Sequence, residues 1–80
     1  MNTSAVRAIS VLATSVRFDA EKMYVQLSDG RGISVPLEWF ITLRNATDEQ
    51  RNNWRPIGKG VGVHWEELDE DISVEGLLRC

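Results

Sequence analysis

The sequence predicts a small single domain of the α+β class, with an antiparallel sheet of about four strands and two or three short helices. Two observations support this class: apolar and polar residues alternate over several short runs, and helix-start signals separate those runs. The 80 residues are the length of one domain. We expect residues 14–80 to form it. Residues 1–13 are expected to be an N-terminal segment, either a loose, flexible tail or a short element that docks.

The first two strands are predicted from alternation with a period of two residues, which is typical of half-buried strands. A polar, turn-like stretch at residues 19–22 separates the two runs and makes them a hairpin. The residues expected to face the core are Thr14, Val16, Phe18, Met23, Val25 and Leu27.

A third strand and a first helix are predicted next. Asp29 and Gly30 form a strong turn signal, because glycine takes a positive φ without steric cost. The strand that follows should point Ile33 and Val35 inward. A helix over residues 37–44, opened by a proline, should then lay a wide apolar face on the sheet.

The second half of the chain predicts two more helical segments around one strand. Thr47 and Gln50 have the spacing of a capping box, so a short helix should begin there and end before Pro56. Residues 57–65 return to a period of two and predict a fourth strand. After an acidic loop at residues 66–71, Ser73 should cap a last helical turn. Its core-facing residues are predicted to be Val74, Leu77 and Leu78.

The three tryptophans supply large apolar side chains to a small core. The periodicity around Trp39 and Trp65 predicts that both are buried. Trp54 lies beside a helix end and before Arg55 and Pro56, so it is the tryptophan that we expect to be partly exposed, and it is a candidate contact residue.

Glycines recur at residues 58, 60 and 62, on the face of the predicted fourth strand that also carries His64. Their spacing matches neither a P-loop nor a dinucleotide-binding fingerprint. Glycine on alternate positions of a strand instead allows close approach. We interpret this glycine face as internal packing or as a docking surface.

Catalysis is not predicted. His64 and Cys80 are the only histidine and the only cysteine, and no zinc-type ligand spacing or Gly-x-Ser-x-Gly elbow is present. We expect no enzyme activity, no metal and no cofactor. A single cysteine gives no internal disulfide, which favours the cytoplasm, and no segment is apolar enough to suggest a signal peptide or a membrane span.

Charge separates the remaining function classes. The formal net charge is -3, and the nine basic residues are scattered, so DNA binding by the chain alone is not expected. Five of the six residues from 66 to 71 are acidic. They are either a solvated loop or a surface that steers a basic protein partner. The candidate partner-binding residues are Trp54, His64, Glu66, Glu67, Asp69 and Glu70.

Several motifs occur in a recognisable order from residue 14 onward. They include Ile-Ser-Val-Pro-Leu at 33–37, His-Trp at 64–65 and, most specifically, Leu-Asp-Glu-Asp-Ile-Ser-Val-Glu-Gly-Leu-Leu at 68–78. In this order the chain resembles the small prokaryotic family called domain of unknown function 2442. The resemblance implies an α+β fold, a bacterial or phage-like cytosolic origin and an antitoxin-like role beside a small toxin. Some longer members carry a helix-turn-helix after this domain, whereas this chain ends at Cys80.

Three hypotheses about function follow. The first is a non-enzymatic, antitoxin-like module that binds or regulates a small protein partner through the acidic loop or the glycine face. The second is a DNA-associated component of a transcriptional regulator, and the third is a small enzyme or ligand-binding domain centred on His64. The sequence leaves the oligomeric state open, a homo-oligomer included.

Overall fold

Two three-stranded antiparallel sheets form the framework of the protein in a computed structural model that describes residues 11–79. The first sheet has the order β1-β2-β3, and its strands are Ala13–Phe18, Lys22–Leu27 and Gly32–Pro36. The second has the order β4-β5-β6, and its strands are Arg55–Ile57, Gly62–Trp65 and Glu70–Ser73. Between the sheets in the chain lie a 3₁₀ turn and two helices, Leu37–Trp39, α1 (Ile41–Arg44) and α2 (Asp48–Asn52). The last helix, α3, is Val74–Arg79.

The predicted α+β class is confirmed, and residues 11–79 form six strands rather than about four. The first ten residues of the predicted N-terminal segment lie outside the described residues. Ala13, its last residue, belongs to β1 and is buried.

The first sheet contains the predicted hairpin and third strand. Met23, Val25 and Leu27 of β2 are all buried, as the period of two predicts. In β1 the prediction for Thr14 is wrong. The register with β2 shifts between Ala13 and Ser15, and this irregularity turns Thr14 out to solvent while Ala13 faces the core.

The turn between β2 and β3 forms at the predicted residues. Gly30 has φ +95°, a left-handed conformation that favours glycine. The Asp29 carboxylate accepts hydrogen bonds from the Arg31 backbone N–H at 3.0 Å and from Arg31 Nε at 2.7 Å. In β3, Val35 is buried and Ile33 is half-buried, as predicted.

The predicted helix over residues 37–44 is interrupted, and the predicted burial of Trp39 is therefore wrong. Phe40 has φ −131° and ψ 83°, which separates the 3₁₀ turn from α1. Because of this break, Trp39 and Leu43 do not share the helix face that an i, i+4 spacing would give them. Leu43 is buried, whereas Trp39 is 54% exposed and Ile41 is 55% exposed.

Helix α2 begins as predicted with a capping box. Thr47 Oγ1 accepts from the Gln50 backbone N–H at 3.1 Å, and Gln50 Oε1 accepts from the Thr47 backbone N–H at 2.9 Å. Arg51 then reaches back to α1. Its Nε and Nη2 donate to the carbonyl oxygens of Leu43 and Arg44 at 2.8 and 2.7 Å, so α2 caps the end of α1.

The predicted fourth strand is a hairpin of two strands, β4 and β5, joined by a turn at residues 58–61. Gly58 and Gly60 have φ +60° and +120° and lie in this turn rather than on a strand face. A Cβ on Gly60 would stand 2.5 Å from the Ala13 carbonyl oxygen. Gly62, in β5, is equally enclosed, since its Cβ would stand 2.8 Å from the Ile72 carbonyl oxygen. The glycine face therefore does not form: Gly60 and Gly62 serve internal packing, whereas Gly58 is exposed and serves the turn.

The acidic loop is shorter than predicted, because residues 70 and 71 begin β6. Ser73 caps α3 as predicted, with its Oγ accepting from the Gly76 backbone N–H at 2.9 Å. Val74 and Leu77 are buried. Leu78 was also predicted to face the core, but it is 42% exposed, since the six-residue helix buries a narrower face.

The core draws residues from both sheets, and Trp65 lies at their junction. Its side chain is 1% exposed, which confirms the predicted burial. The Phe18 ring meets the Trp65 ring edge-on at a centroid distance of 6.3 Å, and Trp65 Nε1 donates to the Arg51 carbonyl oxygen at 2.8 Å. One indole thus connects the second sheet with the first sheet and with α2.

Candidate protein-interaction surface

The four predicted contact acids lie together where β5 turns into β6. We call residues 66–70 the acidic turn. Trp65 and Glu70 form the last pair of the two strands, and the Asp69 N–H donates to the Glu66 carbonyl oxygen at 3.2 Å to close the turn. Asp69 has φ +54°, a left-handed conformation that aspartate tolerates better than most residues. The strand register therefore concentrates the carboxylates at one end of the second sheet.

Two residues from other elements hold the acidic turn at its base. Arg55 of β4 forms an ion pair with Glu66 at 3.6 Å, and both side chains are about 70% exposed. Gln50 of α2 donates through Nε2 to Glu67 Oε2 at 3.1 Å. Exposed pairs of this kind contribute about 0 to 1 kcal/mol each, because water screens them. A partner cation can therefore compete with these internal contacts at little cost.

His64 pairs with Asp71, an acid that was predicted to lie in the acidic loop but not beside the histidine. His64 and Asp71 are directly opposite in β5 and β6, and His64 Nδ1 contacts Asp71 Oδ1. Arg55 is opposite His64 on the other side, so the three residues form a row on the outer face of the second sheet. The His64 side chain is 32% exposed. The row presents a cation, an imidazole and a carboxylate to solvent.

This row is not a complete catalytic constellation in the described part of the chain. No hydroxyl of residues 11–79 hydrogen-bonds to the His64 ring, although a triad needs a nucleophile at the second nitrogen. Within the same residues, no group of three or more His, Cys, Asp and Glu side chains is placed to hold a metal ion. Cys80 lies outside the described residues.

Trp54, the sixth predicted contact residue, is half-buried and packs against the core between α2 and β4. Its predicted partial exposure is correct, but Trp39 is the tryptophan with the larger exposed surface. Trp39 and Ile41 leave two large apolar side chains in solvent only two positions apart. The spacing of apolar residues did not predict this exposure, because that spacing indicates an unbroken helix.

Three residues at this surface also escaped prediction: Gln50, Arg55 and Asp71. Each contacts a residue that is between 7 and 17 positions away in the chain. Their charges and side-chain amide were visible in the sequence, but their contacts depend on strand register. No local pattern of residues in the sequence predicts that strand register.

None of the helices formed by residues 11–79 is both long enough and apolar enough to cross a membrane. The fold and this surface define a small two-sheet α+β domain that carries an acidic turn beside an exposed Arg-His-Asp row. The model of a family described as "protein of unknown function (DUF2442)" matches residues 13–79. The chain therefore belongs to the DUF2442 family, which confirms the resemblance noted from its motifs.

Two solved structures share the fold. A protein of unknown function from Rhodospirillum rubrum, known from a crystal structure at 2.75 Å resolution, is 32% identical with a TM-score of 0.75, and the match covers 89% of this chain and 88% of that one. An uncharacterised protein from Chromobacterium violaceum, solved by NMR in solution, is 27% identical with a TM-score of 0.74. That match covers 95% of this chain and 71% of the other. The search of curated proteins returned no significant match.

Proposed function

We propose that this domain is a non-enzymatic module that binds a small protein partner and regulates or neutralises it, as an antitoxin does. The observation that carries the proposal is the acidic turn, where register brings four carboxylates to one exposed end of the second sheet. A concentration of like charge on a surface attracts partners of opposite charge and chiefly raises their rate of association. The expected partner is therefore basic.

The weak internal contacts of the acidic turn support this function. Glu66 and Glu67 contact Arg55 and Gln50 through exposed side chains, and mutual repulsion among the acids is only partly offset by one arginine. Bringing a Lys/Arg-rich surface to the turn would relieve that repulsion. Relief of this repulsion would therefore stabilise the complex with the partner, because the folded domain alone leaves the repulsion in place.

A protein partner is favoured over a small cation because apolar residues also stand in solvent. Trp39 and Ile41 are each more than half exposed, and large aromatic residues often supply a major part of the binding energy at protein interfaces. The antitoxin character rests on the resemblance to the DUF2442 family, whose members resemble partners of small toxin-like proteins.

The test begins with the protein that co-purifies with the untagged chain from its native host. Its rate of association with the wild-type domain is compared with that of a variant carrying Glu66→Gln, Glu67→Gln and Glu70→Gln over a series of salt concentrations. We expect slower association and a flatter salt dependence in the variant, because steering by charge is lost. Folding should be nearly unchanged, since each surface change is usually within about 0.5 kcal/mol.

A matched control variant carries Glu21→Gln, Glu38→Gln and Glu49→Gln, which remove the same number of exposed negative charges elsewhere. This control should retain most of the wild-type association rate. Equal rates for the wild type and the acidic-turn variant across the salt series would overturn the role of the turn.

A further inference from the structure

We propose that the free edge of β6 receives an extended basic segment of the protein partner as an added antiparallel strand. This inference rests on the proposed function and specifies the contact that the partner makes. The order β4-β5-β6 leaves β6 at an edge of the second sheet, and among residues 11–79 no strand other than β5 pairs with it.

The register shows which backbone groups point outward from that edge. The Val74 N–H donates to the Val61 carbonyl oxygen at 2.9 Å, in line with the pairing of β5 and β6. Because hydrogen-bonded and non-hydrogen-bonded pairs alternate in antiparallel sheets, Ile72 exchanges its bonds with Val63, whereas Asp71 and Ser73 are non-hydrogen-bonded pairs. The N–H groups of Asp71 and Ser73 and the carbonyl of Asp71 therefore point away from β5.

A groove with an apolar lining runs beside the same edge. Phe40, Ile72 and Leu77 contribute its apolar side chains, and residues 71 and 73 line it as well. Ile72 and Asp71 point to opposite faces of the sheet, as neighbours on a strand do. An added strand would therefore place one set of alternate side chains in the groove and the other set beside Asp71.

The negative charge of Asp71 beside the edge favours a basic segment as the added strand. A segment that alternates apolar with basic residues would fill the groove on one face and meet Asp71, with His64 beyond it, on the other. A second copy of this chain is disfavoured, because its own β6 carries the carboxylates of Glu70 and Asp71 and no basic side chain that could meet Asp71. Opposite charges on neighbouring strands stabilise their pairing, whereas like charges directly opposite destabilise it.

The test uses a short synthetic peptide of alternating Lys and Val, blocked at both ends and titrated into the full chain. Binding is followed by NMR through the backbone amide signals. We expect the largest shifts at Asp71 and Ser73, with slower amide hydrogen exchange at both residues. Replacing Glu70→Gln and Asp71→Asn should weaken binding on the order of tenfold, whereas the pair Glu38→Gln and Glu49→Gln should leave it nearly unchanged.

Backbone methylation separates strand addition from simple attraction between charges. In the proposed register, Lys residues of the peptide lie opposite Asp71 and Ser73 and exchange backbone hydrogen bonds with them. A Val residue lies opposite Ile72, and its N–H points away from β6. N-methylation of the Lys residues should abolish binding, whereas N-methylation of the Val residues should preserve it. Equal binding of the two methylated peptides, or shifts confined to residues 66–69, would overturn strand addition.

The same measurements distinguish this inference from the function on which it rests. If the co-purified partner associates in a charge-dependent way but shifts no signal of β6, the inference is overturned and the proposed function stands. Concentration-dependent dimerisation through β6 without peptide would likewise overturn it, because the edge would then be covered by a second copy.

Discussion

At the scale of the residue, Asp19 has the most perturbed acidity among the described residues. Its Oδ1 accepts from the backbone N–H groups of Glu21 and Lys22 at 2.8 and 2.7 Å, and its Oδ2 accepts from the Tyr24 hydroxyl at 2.6 Å. These bonds, the one from Tyr24 first, lower the pKa of Asp19 to about 2. The ionised carboxylate therefore holds the turn between β1 and β2.

The lowered pKa of Asp19 predicts how stability depends on pH. The pKa is lower in the folded protein than its ordinary value of 3.8, so the contribution is fully present above about pH 4 and is lost as the pH falls through about 2. Asp19→Asn should lower the free energy of unfolding at neutral pH, and its difference from the wild type should shrink between pH 4 and 2. Urea titrations over this pH range measure both effects.

Glu38→Gln, at an exposed residue of the 3₁₀ turn, provides the control for the acid series. A difference between the Asp19→Asn variant and the wild type that stays constant down to pH 2 would contradict the link between the carboxylate and stability.

At the scale of the element, the helices are too short to be stable by helix propensity alone. They contain between 4 and 6 residues, and isolated helices below about 12 residues are marginal in water. Their ends are therefore important. Thr47 and Gln50 cap the start of α2, and the Arg51 guanidinium caps the end of α1.

Removal of the Thr47 hydroxyl tests the importance of the capping box. Thr47→Ala should lower the free energy of unfolding by about 1 kcal/mol, because the backbone N–H of Gln50 loses its acceptor. Chemical denaturation with circular dichroism measures the change. Thr42→Ala, in the exposed face of α1, is the matched control and should not destabilise, since alanine favours a helix more than threonine does. Equal stability of the wild type and the Thr47→Ala variant would show that the capping box is dispensable.

At the scale of the whole molecule, β1 contacts the second sheet through a backbone hydrogen bond and through an aromatic pair. The Ala13 N–H of β1 donates to the Gly60 carbonyl oxygen at 2.7 Å, and Gly60 allows this close approach because it has no side chain. Trp65 provides the second contact, through Phe18 of β1 and the Arg51 carbonyl. The core is therefore continuous across both sheets.

Because Trp65 is buried and Trp39 is exposed, truncating the two side chains should change stability by very different amounts. Trp65→Ala should cost about 3 to 5 kcal/mol, because it opens a cavity where both sheets and α2 meet. Trp39→Ala should change the free energy of unfolding by no more than about 0.5 kcal/mol, since its side chain is more than half exposed. Thermal and urea unfolding compare the two variants. Similar losses for both would contradict the placement of Trp39 at the surface.

Many residues of the candidate surface could be predicted from the sequence, but the contacts between them could not. The concentration of acids from 66 to 71 and the single histidine were visible in the sequence. That Arg55 contacts Glu66 and that Asp71 contacts His64 was not, because both contacts depend on how three strands align. Exposure of Trp39 depends on one backbone conformation at Phe40, which no spacing of apolar residues reports.

The sequence by itself determined the α+β class, the hairpin of β1 and β2, the turn at Gly30, and the caps at Thr47 and Ser73. These features arise from local chemistry: alternation, the freedom of glycine, and hydroxyl groups placed three residues before the backbone N–H from which each accepts. Tertiary structure alone decided that a turn at residues 58–61 divides the predicted fourth strand between β4 and β5, and that β6 lies at an edge with Asp71 exposed. Both outcomes depend on contacts between residues distant in the chain, whose free energies no local pattern of the sequence contains.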